Sequence, residues 1–138
     1  MTTAEQIMHE DARWILATET LDRAAQMMRQ SDIGALPVAD GNERMCGIIT
    51  DRDIVIKCVA LGHDPSKVTA GSLCEGTPWW VEADEDVDSV LEAMERHRIR
   101  RMPVIKDKRL VGIISEADIA RHLPEDRVAE FVERICAA

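Results

Sequence analysis

Apolar residues recur along the chain with two different periods. Leu21, Ala24, Ala25 and Met28 fall at i, i+3, i+4 and i+7, and Val87, Val90, Leu91 and Met94 do the same, which predicts two helices each with one apolar face. Thr20 and Asp86 stand where N-caps belong, and Asp22 and Asp88 lie in the first turns, where the helix dipole favours an anion. After each helix comes a short apolar run rich in β-formers, 36–39 and 102–105. Each contains a proline that suits a strand start better than a central position. Turns are predicted at Asp40-Gly41-Asn42 and Lys106-Asp107-Lys108, followed by strands over 45–49 and 110–114. Second helices open at Thr50 and Ser115, both N-cap residue types, and the first of them stops at Gly62 ahead of Asp64-Pro65.

The predicted elements recur because the chain repeats itself. Thr3 aligns with Thr69, Ala4 with Ala70, Trp14 with Trp80, Ala17 with Ala83, Glu19 with Glu85, Asp22 with Asp88 and Met28 with Met94 at one constant offset. Ile33 with Ile99 and Pro37-Val38 with Pro103-Val104 keep that register. One residue is then lost in the turn, after which Gly47-Ile48-Ile49 meets Gly112-Ile113-Ile114 and Asp53-Ile54 meets Asp118-Ile119. Two copies of one unit of about 65 residues follow, each strand, helix, strand, strand, helix. They divide the chain into 1–66 and 67–138, the second copy carrying a C-terminal helix. The fold class is α/β, with the two copies packed as a pseudo-twofold pair.

Composition narrows the function. The 138 residues suffice for one ordinary domain or two very small ones, and exclude a multi-domain enzyme. A formal charge of -9 repels phosphate-rich polymers and anionic lipid, so neither nucleic acid nor membrane is an expected partner. The first residues lack the basic and apolar regions of a secretory signal, and a cytoplasmic protein is expected. Four cysteines (Cys46, Cys58, Cys74, Cys136) include no CxxC pair and read as reduced and mostly buried. His9, His63, His97 and His122 show no zinc spacing, and there is no P-loop or G-x-S-x-G string, so no catalytic residue and no metal site is assigned.

The string Gly-hydrophobe-hydrophobe-Thr/Ser-x-x-Asp carries the candidate chemistry. It is Gly47-Ile48-Ile49-Thr50-Asp51-Arg52-Asp53 in the first copy and Gly112-Ile113-Ile114-Ser115-Glu116-Ala117-Asp118 in the second. Where a strand runs into a helix, such a string sets a hydroxyl and free backbone N–H groups at the positive end of the dipole, a place for a phosphate. The carboxylate three residues on is placed to accept from the hydroxyls of a ribose. The same residues also suit a plain helix cap, with Gly47 and Gly112 demanded by close packing.

With its doubled order of elements, this motif pair resembles the CBS domain pair, or Bateman module, over nearly the whole chain. The layout looks most like the small stand-alone two-CBS proteins of bacteria, hypoxic response proteins among them. The resemblance implies Thr50 and Ser115 toward phosphate, Asp53 and Asp118 toward ribose. It also implies an adenine slot near Ala17, Ala35, Leu36 and Pro37 in one copy and near Ala83, Arg101, Met102 and Pro103 in the other. Trp14 and Trp80 lead toward those slots, either stacking on an adenine or filling the space. Arg52 is the candidate phosphate partner of the first copy. In the second, one of Arg100 and Arg101 is, so the Ser115/Asp118 site is expected to fill first.

The function so implied is regulatory rather than catalytic: a module that requires no cofactor, senses an adenosine-containing ligand of the AMP, ATP, NAD or S-adenosylmethionine class, and signals through an effector protein of unknown identity. A homodimer is expected, with Met27, Met28 and Met94 as adaptable apolar surface. Two other readings stand beside it: a ligand-free structural or stress-response protein acting by partner binding, and a Cys or metal redox sensor.

Overall fold

A computed structural model describes residues 1–10, 13–74 and 79–136. Helix α1 is Ala4–Ile7, strand β1 Ile15–Leu16, helix α2 Leu21–Ser31, strand β2 Ala35–Ala39 and strand β3 Met45–Thr50. Helix α3, Asp51–Ile54, widens into a π-helical segment, Val55–Val59, and a 3₁₀ turn occupies Ala70–Leu73. The pattern then repeats as β4 Val81–Glu82, α4 Val87–His97, β5 Arg101–Lys106, β6 Arg109–Ser115 and α5 Glu116–His122, and closes with α6 Glu125–Cys136. Each repeat forms one three-stranded sheet, β1-β2-β3 and β4-β5-β6, with the first pair parallel and the second antiparallel.

The chain folds as two compact units, Arg13–Pro78 on one hand and Met1–Ala12 with Trp79–Ala138 on the other. These are not the two sequence copies divided at 66/67, and the reason lies in what precedes each first strand. Ala4 donates its N–H to Glu85 O at 2.8 Å and Val87 donates to Thr2 O at 2.8 Å, so α1 completes the fold of the second repeat. At the matching positions Ala70 donates to Glu19 O and Leu21 to Val68 O, so the turn at 70–73 completes the first. Ala4, Ile7, Ala70 and Leu73 are all buried in their respective cores.

Each core lies between one sheet and its helices. Leu21, Ala24 and Met28 of α2 pack with Leu36, Val38, Ile49, Ile54 and Cys58. Val90, Leu91 and Met94 of α4 pack with Met102, Val104, Ile114, Ile119, Phe131 and Ile135. Met94 is wholly buried and Met28 nearly so, which makes them core residues rather than the adaptable surface expected of them; Met27 is only partly buried. Thr20 and Asp86 sit at the N-caps but their side chains cap no backbone N–H; the Thr20 hydroxyl turns to Asp22 instead.

The prolines lie inside the central strands β2 and β5, not at strand starts. They are tolerated because the outer strands are only two residues long. β1 pairs Val38 and Ala39 and β4 pairs Val104 and Ile105, so the ladder begins one residue beyond Pro37 and Pro103.

Candidate ligand site

In both repeats the strand that ends the motif delivers its hydroxyl residue directly into a helix N-cap. The Thr50 hydroxyl accepts from the Asp53 N–H at 3.1 Å, and Asp53 Oδ2 accepts from the Thr50 N–H at 2.9 Å. Ser115 and Asp118 form the same reciprocal pair, with the Ser115 N–H on Asp118 Oδ2 at 2.8 Å and the Asp118 N–H on the Ser115 hydroxyl at 3.4 Å. These are capping boxes with aspartate in the third position, and they satisfy backbone groups that the helix start leaves open.

Strand register sets the rest of the site beside them. Ala35 pairs with Thr50, Leu36 with Ile49 and Pro37 with Ile48, while Arg101 pairs with Ser115, Met102 with Ile114 and Pro103 with Ile113. Ala35 and Arg101 therefore stand next to the capping boxes. Leu36 and Met102 point into the cores. Ala17 and Ala83 belong to the far end of each sheet. Their N–H groups bond Ala39 O and Ile105 O, at the opposite end of the central strand from Thr50 and Ser115. The parallel register puts the chain before Ile15 and Val81 toward the capping-box end, and that chain includes Trp14 and Trp80. Both indoles are part-exposed, at 38% and 47%, so neither is sunk into its own unit's core. Next to Trp80, Trp79 stacks on His97 with ring centroids 3.6 Å apart.

The two carboxylates differ in what surrounds them. Asp53 keeps 25% of its side-chain surface and has Lys57 at 3.4 Å from Oδ1. Asp118 keeps 3% and is enclosed: its Oδ2 takes the Ser115 N–H, the Ser115 hydroxyl at 2.9 Å and His9 Nδ1 at 2.7 Å, and Arg121 lies 3.8 Å from Oδ1. Burial pushes the Asp118 pKa up, but the Ser115 N–H, His9 and the Ser115 hydroxyl together hold it below the ordinary aspartate value. The carboxylate is ionised, so His9 donates from Nδ1. No spacing in the sequence signals this partner, because His9 lies 109 residues from Asp118.

The arginines expected to grip a phosphate are also unequal. Arg100 is spent on Glu116 at 2.8 Å, with Cys136 Sγ 3.8 Å from its other terminal nitrogen. Arg101 and Arg52 are exposed, and neither side chain makes an ion pair among the described residues. Cys58 is buried, Cys46 and Cys74 are half-buried and Cys136 is exposed. Burial, then the neighbouring Cys46 and Asp53, push the Cys74 thiol up to about 11, which makes the free thiol slow toward oxidants.

A fold of two three-stranded sheets, each ending its last strand in a Thr/Ser-x-x-Asp cap, defines a tandem CBS pair. The chain belongs to the CBS domain family, whose model matches residues 4–59 and 71–125. It is 50% identical over 137 residues to hypoxic response protein 1 of Mycobacterium tuberculosis, covering 99% of this chain and 96% of that one. Among solved structures it resembles Hypoxic Response Protein I with two coordinated zinc ions, at 50% identity and a TM-score of 0.82, over 89% of this chain and all of that one. It also resembles the CBS domain pair of protein MJ0100 in complex with 5'-methylthioadenosine and S-adenosyl-L-methionine, at 29% identity and a TM-score of 0.76, over 88% and 94% of the two chains. Among the described residues of this chain no three His, Cys, Asp or Glu side chains gather as a metal site.

Proposed function

We propose that the chain is a non-catalytic regulatory module that binds an adenosine-containing ligand and passes its occupancy on through protein association, as a homodimer and to an effector protein. The observation that carries this reading is the pair of capping boxes, each beside the start of its central strand, with an exposed arginine nearby: Arg52 two residues after Thr50, and Arg101 across from Ser115. The hydroxyl, the helix-start N–H groups and the arginine suit a phosphate or carboxylate, and the aspartate suits ribose hydroxyls. The adenosine ligands held by a CBS pair of the same fold support the same class.

The test is thermal melting of nucleotide-stripped protein with AMP, ADP, ATP, NAD and S-adenosylmethionine in turn. A ligand at a hundred times its Kd adds about 2.7 kcal/mol, a rise of several degrees for a chain of this size. A rise with one or more of them, lost in Asp53→Ala, is the expected result. No rise with any would favour the second reading, a stress-response protein that works by partner binding alone. That reading draws on the hydrogen bonds Asp118 already makes within the chain and on the hypoxic response relative.

A further inference from the structure

We infer that the N-terminal segment is a latch on the second repeat's site: His9 occupies the Asp118 carboxylate, so a ribose-bearing ligand enters there only once the His9 ring has swung away. This rests on the adenosine reading above and reverses the filling order that arginine placement alone suggests, making Thr50/Asp53 the first site to fill.

The two repeats offer an internal comparison. Their capping boxes share the same two reciprocal bonds, the second adding a bond from the Ser115 hydroxyl to Asp118 Oδ2, yet the Asp53 side chain is open to a quarter of its extent and the Asp118 side chain is nearly closed. Asp118 also takes a donor from a distant segment of the chain, His9, where Asp53 has Lys57 of its own helical stretch. Asp118 Oδ2 already takes three donors, and Oδ1, with Arg121 3.8 Å away, belongs to a side chain only 3% exposed, so an incoming hydroxyl reaches the carboxylate only when a covering group moves aside. The Ser115 N–H is held by the helix cap and its hydroxyl stays within the same box, whereas the His9 side chain is 44% exposed and free to turn outward.

The latch moves as a side chain, not as a strand. His9 donates its N–H to Ile113 O at 3.0 Å and accepts from the Ile113 N–H at 3.2 Å, which pins its backbone along β6. Met8, one residue earlier, packs so close to Gly112 that a Cβ there would collide with its sulfur and stand 2.9 Å from His9 O. Gly112 is thus the residue that lets the latch segment lie on the strand. In the first repeat Cys74, at the position matching Met8, lies over Gly47 in the same way, with Sγ 3.2 Å from a Cβ placed there.

The experiment is calorimetric titration with AMP of the wild type, His9→Ala, Asp53→Ala and Asp118→Ala. Two unequal events are expected, the tighter lost in Asp53→Ala and the weaker lost in Asp118→Ala. His9→Ala is expected to tighten the weaker event by about ten- to a hundredfold, the worth of one hydrogen bond to a charged group, and to leave the tighter one unchanged. His9→Leu, which keeps bulk and has no donor, gives the same comparison if alanine loosens the segment. A weaker event that neither His9 variant alters, or a tighter event lost in Asp118→Ala instead of Asp53→Ala, overturns the latch and leaves the adenosine reading standing. No binding by the wild type and the His9 variants alike overturns the adenosine reading, and the latch with it.

Discussion

Asp118 shows how a single buried carboxylate ties the site to the stability of its unit. It is buried, and it is compensated by the Ser115 N–H and hydroxyl and His9, with Arg121 3.8 Å from Oδ1. Those donors depress its pKa in the folded chain below the 3.8 that applies when it is unfolded. As pH falls, the unfolded chain therefore takes up this proton first. The stabilising contribution is whole well above the unfolded value, by about pH 5, and drains away as pH drops through that value toward the lower folded one. Wild type is accordingly expected to lose stability between about pH 5 and pH 3 more steeply than Asp118→Asn, by at most about 1.4 kcal/mol per pH unit for one proton. Urea midpoints measured across that interval decide it, and parallel slopes would assign the acid limb to other carboxylates. The motif pointed to Asp118 because a Thr/Ser-x-x-Asp string can be read locally. His9 escaped that reading because it meets Asp118 only through the β6 pairing of a segment from the other end of the chain.

At the level of elements, the helices follow the apolar spacing closely and end by a device that the spacing does not reveal. α2 and α4 both stop on a left-handed residue, Asp32 and Arg98, each at φ 52° and at matching positions of the repeat. Asparagine-like side chains tolerate that conformation, but an arginine there costs about 1–2 kcal/mol, against about 0.5–1 kcal/mol of entropy for glycine. Arg98→Gly is therefore expected to raise the melting temperature by a few degrees, and Asp32→Gly by less. A lower melting temperature for Arg98→Gly would mean that the arginine side chain supports the cap by a contact of its own. The doubled strand-helix-strand-strand-helix order was legible because identities and periodicity agree over most of both copies. Helix α1 and the 3₁₀ turn were not, being four residues long each and too short to show a period. Nor was their assignment to the two compact units, which depends on hydrogen bonds from Ala4 to Glu85 and from Ala70 to Glu19 rather than on sequence order.

For the whole molecule, association is the proposed output, and the exposed apolar surface suggests where it happens. Met28 and Met94 are core residues, so aspartate at either would unfold a unit and say nothing about an interface. Of the exposed large apolar side chains, four gather on the π-helical segment and just after it: Val55 at 54% exposed, Ile56 at 48%, Val59 at 56% and Leu61 at 65%. On the wider turn of a π-helix Val55 and Val59 lie about one turn apart with Ile56 beside Val55, so one side of the segment carries them. π-helical segments of this kind often mark functional positions. If a second copy of the chain covers this face, each buried aliphatic side chain contributes about 1.5–3 kcal/mol to the dimer. The double change Ile56→Asp with Val59→Asp then weakens association by about a hundredfold or more. Light scattering is expected to report a dimer for wild type and a monomer for the variant, with cooperative unfolding retained in both. A variant that stays dimeric, or a wild type that is monomeric at the same concentration, would remove this helix face from any contact between copies.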